Sequence, residues 1–313
     1  MRSDELKQAL QSGELDSLLM DTYCDPRLLD YERKRYVETI QEFEELHGIS
    51  DVHVFSIPGR CEVGGNHTDH QHGRVLACGV NTDILAIVSK AEQLDIVSNK
   101  RHIEGLNIND LGLHDTEKHT SLSLVKGVIN RLKQLGYTVG GFKAVMESDV
   151  PVGSGMSSSA AFENSIGTII SYLYNEGKIS HMEIAKASQY SENVYFGKPC
   201  GLMDQCACSF EGLIYIDFKN FQSPEVKVVA ESFLPYAHSI CLVNTGGSHS
   251  NLDDEYKSIP DEMRLVANYF NKDFLVDVDK EDIISHINEL RQRFGDRPVL
   301  RALHMKDESD RVL

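Results

Sequence analysis

An α+β fold is what this sequence predicts, on three observations. Helix-period and strand-like segments are mixed along the chain without a regular strand–helix–strand repeat, which argues against a doubly wound parallel sheet. Two glycine-rich polar stretches, Pro58–Gly73 and Pro151–Ser159, follow short apolar runs that read as strands. At 313 residues the chain can form two modest domains or one large one, with an ample core.

The elements follow in order. Residues 1–48 read as helical and amphipathic: Tyr36, Val37, Ile40, Phe43 and Leu46 recur at helical spacing, and Gly48 is a stop. Strands are expected at 52–57, 84–89 and 94–98. Leu122, Leu124, Val125, Val128, Ile129, Leu132 and Leu135 give residues 119–135 a broad apolar helical face before Gly136. Phe142 to Met146 reads as a strand. From Ser157 onward a helix should bury Ile166, Ile169, Ile170 and Leu173, and another over 181–195 should carry Glu192 near its C-terminal end. Cys206 and Cys208, alternating about Ala207, suggest strand packing. Leu213–Phe218 and Ser239–Asn244 read as strands, and helices are expected near 253–271, 280–294 and 298–313. There is no internal repeat, low-complexity tract or obvious linker.

Composition excludes several classes. With 31 basic and 48 acidic residues the net charge is −17, which argues against nucleic-acid binding and against docking on an anionic membrane, since both need basic patches. No window approaches twenty apolar residues, and the N-terminus has no apolar signal-peptide core. Seven scattered cysteines fit reduced thiols, so a cytoplasmic protein is expected.

The chemistry lies in the glycine-rich stretches. In Pro151-Val152-Gly153-Ser154-Gly155-Met156-Ser157-Ser158-Ser159 the glycines let the backbone approach an anion. The serines then place N–H groups and hydroxyls at a helix N-terminus, where negative charge is favoured. No Gly-Lys-Ser/Thr follows as in a Walker loop, and Ser158 stands where a dinucleotide fingerprint has its third glycine. Alone, the segment is also compatible with a structural turn. Pro58-Gly59-Arg60-Cys61-Glu62-Val63-Gly64-Gly65-Asn66-His67-Thr68-Asp69-His70-Gln71-His72-Gly73 is dense in short polar groups and suits a hydroxyl-rich ligand. Its histidines and carboxylates lack the spacing of a closed zinc site. A third stretch, Pro199-Cys200-Gly201-Leu202-Met203-Asp204-Gln205, lies downstream of Glu192.

Together these three stretches resemble the galactokinases of the GHMP small-molecule kinase family. PGRCEVGGNHTD is similar to the galactokinase signature, PVGSGMSSSAA to the phosphate loop, and PCGLMDQ to the segment bearing the catalytic aspartate. Order and spacing match from about residue 50 onward. The resemblance implies two α+β lobes with the active site in a cleft between them, divided here as a helical extension (1–48), a first lobe with the sugar and phosphate loops (49–205) and a partial second lobe (206–313).

It also implies ATP as co-substrate and Mg2+ as cofactor, with the γ-phosphate passing to the anomeric hydroxyl of galactose. Gly153, Ser154, Gly155, Met156, Ser157, Ser158 and Ser159 would cradle the phosphates, Ser159 and Glu192 would hold the metal, and Ser98 would lie near the base. Asp204 would be the general base. A partly solvated Asp204 needs a partner, and Arg60 would keep it ionised and stabilise charge on the transferring group; a purely structural Arg–Asp pair is the alternative. Asn66, His67, Thr68, Asp69 and Tyr256 would recognise the sugar, although a half-buried tyrosine could equally be structural.

Two departures from the pattern matter. Galactokinases usually have glutamate at the position of Asn66, and tyrosine-asparagine where this chain has His70-Gln71. A neutral amide can donate as well as accept, so a C6-oxidised sugar such as galacturonate is an alternative substrate. The third glycine-rich motif of the family is also missing before Leu313. A fragment or a reduced second lobe is therefore expected, with an exposed sheet edge and a tendency to associate. A sugar-responsive regulator without catalysis is the competing class; the presence of Arg60, Ser159, Glu192 and Asp204 argues against it. Mevalonate- and homoserine-type kinases lack the Gly-Asn-His-Thr-Asp type of loop.

Overall fold

The computed structural model describes residues 1–210, 212–229, 241, 243 and 253–313, and it is α+β. The chain packs as two compact units, each discontinuous in sequence. The first comprises Met1–Gly59, Val80–Pro151 and Ser157–Lys198; the second comprises Arg60–Gly79, Val152–Met156 and Pro199–Leu313. The sequence division at 48/49 and 205/206 is contiguous, whereas these units interleave.

In the first unit the helical stretch comprises three helices: α1 (Ser3–Ser12), α2 (Asp16–Tyr23) and α3 (Leu29–His47). Gly13 stops α1 in the left-handed conformation, φ 81°. Leu10, Leu19, Tyr23, Tyr36, Ile40 and Phe43 bury themselves against Leu85, Ile87, Val97 and Val145 of the sheet. Here the strands are residues 53–59 of β1 (His53–Gly64), residues 80–90 of β2 (Arg74–Lys90), β3 (Asp95–Ser98), β4 (Arg101–His102) and β5 (Phe142–Ser148). Residues 84–90 of β2 run antiparallel to β5, and β3 runs parallel to β5 and antiparallel to β4. Helices α4 (Ser121–Gln134), α5 (Ser158–Asn175) and α6 (His181–Tyr190) complete the unit. Thr120 caps α4, and a reciprocal Ser180–Glu183 capping box starts α6.

β2 is 17 residues long, far beyond the 84–89 expected, because Gly79, Asn81 and Asp83 mask its alternation. Asp83 is tolerated there by a dedicated set of donors. It is buried, accepts from Arg35 at 2.6 Å and from the Tyr23 hydroxyl at 2.9 Å, and also accepts from Ser56. Arg35 in turn donates to the carbonyl of Glu147 at 2.8 Å, so one carboxylate ties α2 and α3 to the sheet.

In the second unit, residues 74–78 of β2 pair antiparallel with β6 (Leu213–Asp217), which pairs antiparallel with β7 (Glu225–Val229). Helix α7 (Met203–Ser209) corrects the strand expected about Cys206 and Cys208. Met203, Gln205, Cys206, Ala207 and Cys208 are all buried, so no exposed face reveals the helical period. Helices α8 (Asp253–Tyr269), α9 (Lys280–Ser285), α10 (Ile287–Phe294) and α11 (Asp296–Arg311) pack about Met263, Val266, Leu275, Leu290, Val299 and Met305. The single helix expected over 280–294 is thus two, meeting at His286. The strand expected at Ser239–Asn244 lies outside the described residues. Among the described residues no helix is long and apolar enough to cross a membrane.

Removing one partner of a buried ion pair costs about 3–5 kcal/mol, a loss that Glu32 and Asp149, at 3.1 and 3.5 Å from Arg35, offset only in part. Asp83→Ala is therefore expected to lower the unfolding free energy by about that amount, read by urea denaturation. A loss under about 1 kcal/mol would mean that Arg35 and Tyr23 re-pair elsewhere.

Candidate active site

In the second unit a buried guanidinium holds the Asp204 carboxylate. Arg60, in β1, is 6% exposed. Its Nε and Nη2 each lie 2.8 Å from Oδ1 of Asp204, and its Nη1 donates to the carbonyl of Gly155 in the glycine-serine loop. The Arg60 backbone N–H donates to the carbonyl of Met156 at 3.1 Å. Burial alone would lower the Arg60 pKa, but the adjacent Asp204 charge and hydrogen bond outweigh it and raise the value. The Asp204 side chain keeps 29% of its surface exposed, so its carboxylate meets both a fixed cation and solvent.

Asp204 is the second residue of α7, and the start of that helix is held by the polar loop. Asp69, 3% exposed, accepts from the Leu202 and Met203 N–H groups at 2.9 and 3.1 Å through Oδ2, and from the His70 N–H at 3.0 Å through Oδ1. Thr68 is also buried and donates to the Arg74 carbonyl at 2.8 Å, closing the loop on itself. Asn66 and His67 are exposed and adopt left-handed backbone angles, φ 44° and 58°. The amide of Asn66 contacts Nε2 of His304 in α11 at 2.7 Å.

Three contributors were missed in the sequence. Glu62 accepts from the His67 N–H at 2.8 Å and lies 3.6 Å from its Nε2; burial raises its pKa despite the opposing His67. Gln71 is fully buried, accepting from the Leu275 N–H at 3.1 Å and donating to the Pro260 carbonyl at 3.4 Å. His304 stands 238 residues from Asn66. Tyr256 lies in α8 and is 52% exposed. Pro260 in the same helix supplies no N–H to the Tyr256 carbonyl four residues back.

The first unit holds the second constellation. Ser159, in the first turn of α5, donates to Oε1 of Glu192 at 3.2 Å. Glu192 is 4% exposed and sits in a π-helical turn, Ser191–Phe196, that continues α6; such turns recur at functional sites. Ser191 donates to the Leu124 carbonyl at 2.7 Å, and a Cβ on Gly127 would come within 2.4 Å of its Oγ. The turn is thus seated on α4 where only glycine leaves room. A hydroxyl beside a buried carboxylate is an oxygen donor set of the kind Mg2+ takes together with substrate phosphates. Lys198 lies 3.9 Å from the same carboxylate. Among the described residues no group of three or more His, Cys, Asp or Glu side chains could hold a metal ion.

Between Pro151 and α5, Gly153 and Gly155 take φ of 74° and 80° with open space around them. Their requirement for glycine is therefore conformational, not steric. Ser154, Met156 and Ser158 are half-buried, and Ser157 takes φ 57° before the helix begins. Ser98 ends β3, opposite Met146 of β5.

Residues 41–90 match the galactokinase galactose-binding signature and residues 123–212 match the GHMP kinases N terminal domain. The chain is 30% identical to the galactokinase of Clostridium tetani over 285 residues, 88% of this chain and 70% of that protein. It is 31% identical to the galactokinase of Glaesserella parasuis over 282 residues, 87% and 70% of the two chains. The crystal structure of Lactococcus lactis galactokinase complexed with galactose shares its fold, with a TM-score of 0.72 at 22% identity over 87% of this chain and 71% of that one. On its sequence and its fold, the chain belongs to the galactokinase family.

Proposed function

We propose that this protein transfers the γ-phosphate of ATP to the anomeric hydroxyl of galactose, giving galactose 1-phosphate and ADP. The observation that carries the reading is the Arg60–Asp204 pair, in which one buried guanidinium holds both the carboxylate and the Gly155 carbonyl of the glycine-serine loop. Phosphoryl transfer asks the protein for positioning and charge stabilisation. Asp204, kept ionised by Arg60, accepts the hydroxyl proton as the sugar oxygen bonds to phosphorus and the bond to ADP breaks. Arg60 also stabilises negative charge on the transferring group.

Asn66, His67, Thr68, Asp69 and Tyr256 recognise the sugar, with Glu62 fixing His67. The loop from Gly153 to Ser159 takes the phosphates and Ser98 lies near the base. Ser159 and Glu192 would hold Mg2+, which would neutralise phosphate charge there. Residues 49–205 supply both loops and residues 206–313 belong to the second lobe.

A second reading keeps the chemistry and changes the acceptor to galacturonate. It is favoured by one observation: Asn66 is uncharged and pairs with an imidazole, so no carboxylate there repels an acid at C6. The relatives favour galactose.

ADP release with a panel of sugars is expected to depend on galactose. Equal rates with and without any sugar would leave the regulator class, and exclusive use of galactose would end the galacturonate reading. Asp204→Ala is expected to lower kcat by about 10²–10⁴-fold while sugar binding by calorimetry persists; near-normal turnover would remove Asp204 from the mechanism. Gly127→Ala should displace Ser191 and the turn bearing Glu192. Its expected effects are a loss of about 1–3 kcal/mol of stability and a higher Mg2+ concentration for half-maximal rate. An unchanged Mg2+ titration would uncouple that turn from the metal.

A further inference from the structure

Asp69 does more in this fold than offer oxygens to a ligand. A buried carboxylate needs donors for its charge, and three backbone N–H groups supply them: His70 beside it, and Leu202 and Met203 across a separation of more than 130 residues. The two distant donors immediately precede Asp204. Gly201 is shaped to this contact, since a Cβ there would lie 1.7 Å from Oδ2 of Asp69 and 2.5 Å from its Cγ. That approach is closer than any side-chain-bearing residue permits. From the other side, Arg60 grips Asp204 itself. The aspartate is thus fixed between a backbone anchor and a side-chain anchor.

We infer that Asp69 is the positioning residue of the catalytic base, acting through the N–H groups of Leu202 and Met203, and that Gly201 is the residue that admits it. The inference rests on the kinase reading above and deepens it. A carboxylate has about four acceptor sites and the backbone uses three of them, so one lone pair remains for a sugar hydroxyl. Sugar contact and positioning of Asp204 then run through one group, and a ligand pulling on Asp69 is felt at the base.

The test compares wild type with Asp69→Asn, Gly201→Ala and Val299→Ala. Asparagine keeps the volume, but whichever way its amide turns, one N–H faces another N–H. Alanine at 201 drives its Cβ into Oδ2. Val299→Ala opens a cavity in the helical cluster of the same unit and serves as the control for destabilisation alone. The readouts are the NMR signal of the Arg60 Nε proton and the split of kcat from KM.

Both site variants are expected to broaden the Nε proton signal, speed its exchange and lower kcat about 10- to 100-fold, with KM for ATP unchanged. Val299→Ala keeps the signal and kcat. A wild-type Nε signal and kcat in Asp69→Asn and Gly201→Ala, with only KM for the sugar raised, would overturn the inference. Should a variant fail to fold, amide exchange in the wild-type protein decides: protected Leu202 and Met203 amides support the anchor, and loop-like exchange rejects it. A wild type without sugar-dependent ATP consumption removes the kinase reading alone, while the Nε and amide measurements still judge whether Asp69 holds the pair.

Discussion

In the second unit the contacts that join β1, the glycine-serine loop and α7 depend on burying one guanidinium. Arg60 is nearly inaccessible, and an unpaired charge there would be strongly unfavourable. Its donors must therefore be met by fixed acceptors, and Asp204 and the Gly155 carbonyl meet them. The geometry of the Asp204 carboxylate and that of the glycine-serine loop are then not independent, because each is set by the same planar fork. This coupling also explains why the carboxylate keeps solvent exposure while remaining oriented.

In the first unit the corresponding constraint is steric. Glu192 is carried by a π-helical turn seated against α4 at Gly127, where the approach of Ser191 leaves no room for a side chain. The Asn130 amide and the Leu111 carbonyl both meet the Tyr195 hydroxyl, securing the far end of that turn. A carboxylate with little access to solvent is thereby presented beside the Ser159 hydroxyl on rigid elements rather than on a loop. The two units use different devices, charge pairing in one and close packing in the other, to the same end.

The sequence made the family and the candidate site residues legible because three short motifs concentrate them: Arg60 and Asn66–Asp69, Gly153–Ser159, and Asp204. Their chemistry is local, so their spacing could be read. Glu62, Gln71 and His304 were missed for the opposite reason. Glu62 looks like any strand-end carboxylate, and Gln71 and His304 acquire meaning only from partners about 190 to 240 residues away. The helices and most strands followed from periodicity. Failures came where burial erased it, as in α7, or where polar residues interrupt a strand whose charge is neutralised elsewhere, as at Asp83 in β2. The short β7 does alternate, with Val226 and Val228 between charged residues, but two valines over five residues are too brief a signal to single out.

The interleaving of the two units has a consequence for synthesis. Residues 60–79 leave the ribosome early, yet the amides that satisfy Asp69 are encoded 133 residues later. At about 5–20 residues per second that is a wait of roughly 7 to 27 s. During this interval the nascent segment must stay hydrated while the helices preceding it are free to collapse. Maturation of the second unit is thus timed by translation itself, and slow codons between the two segments would lengthen the window in which the unfinished chain is vulnerable to misassembly.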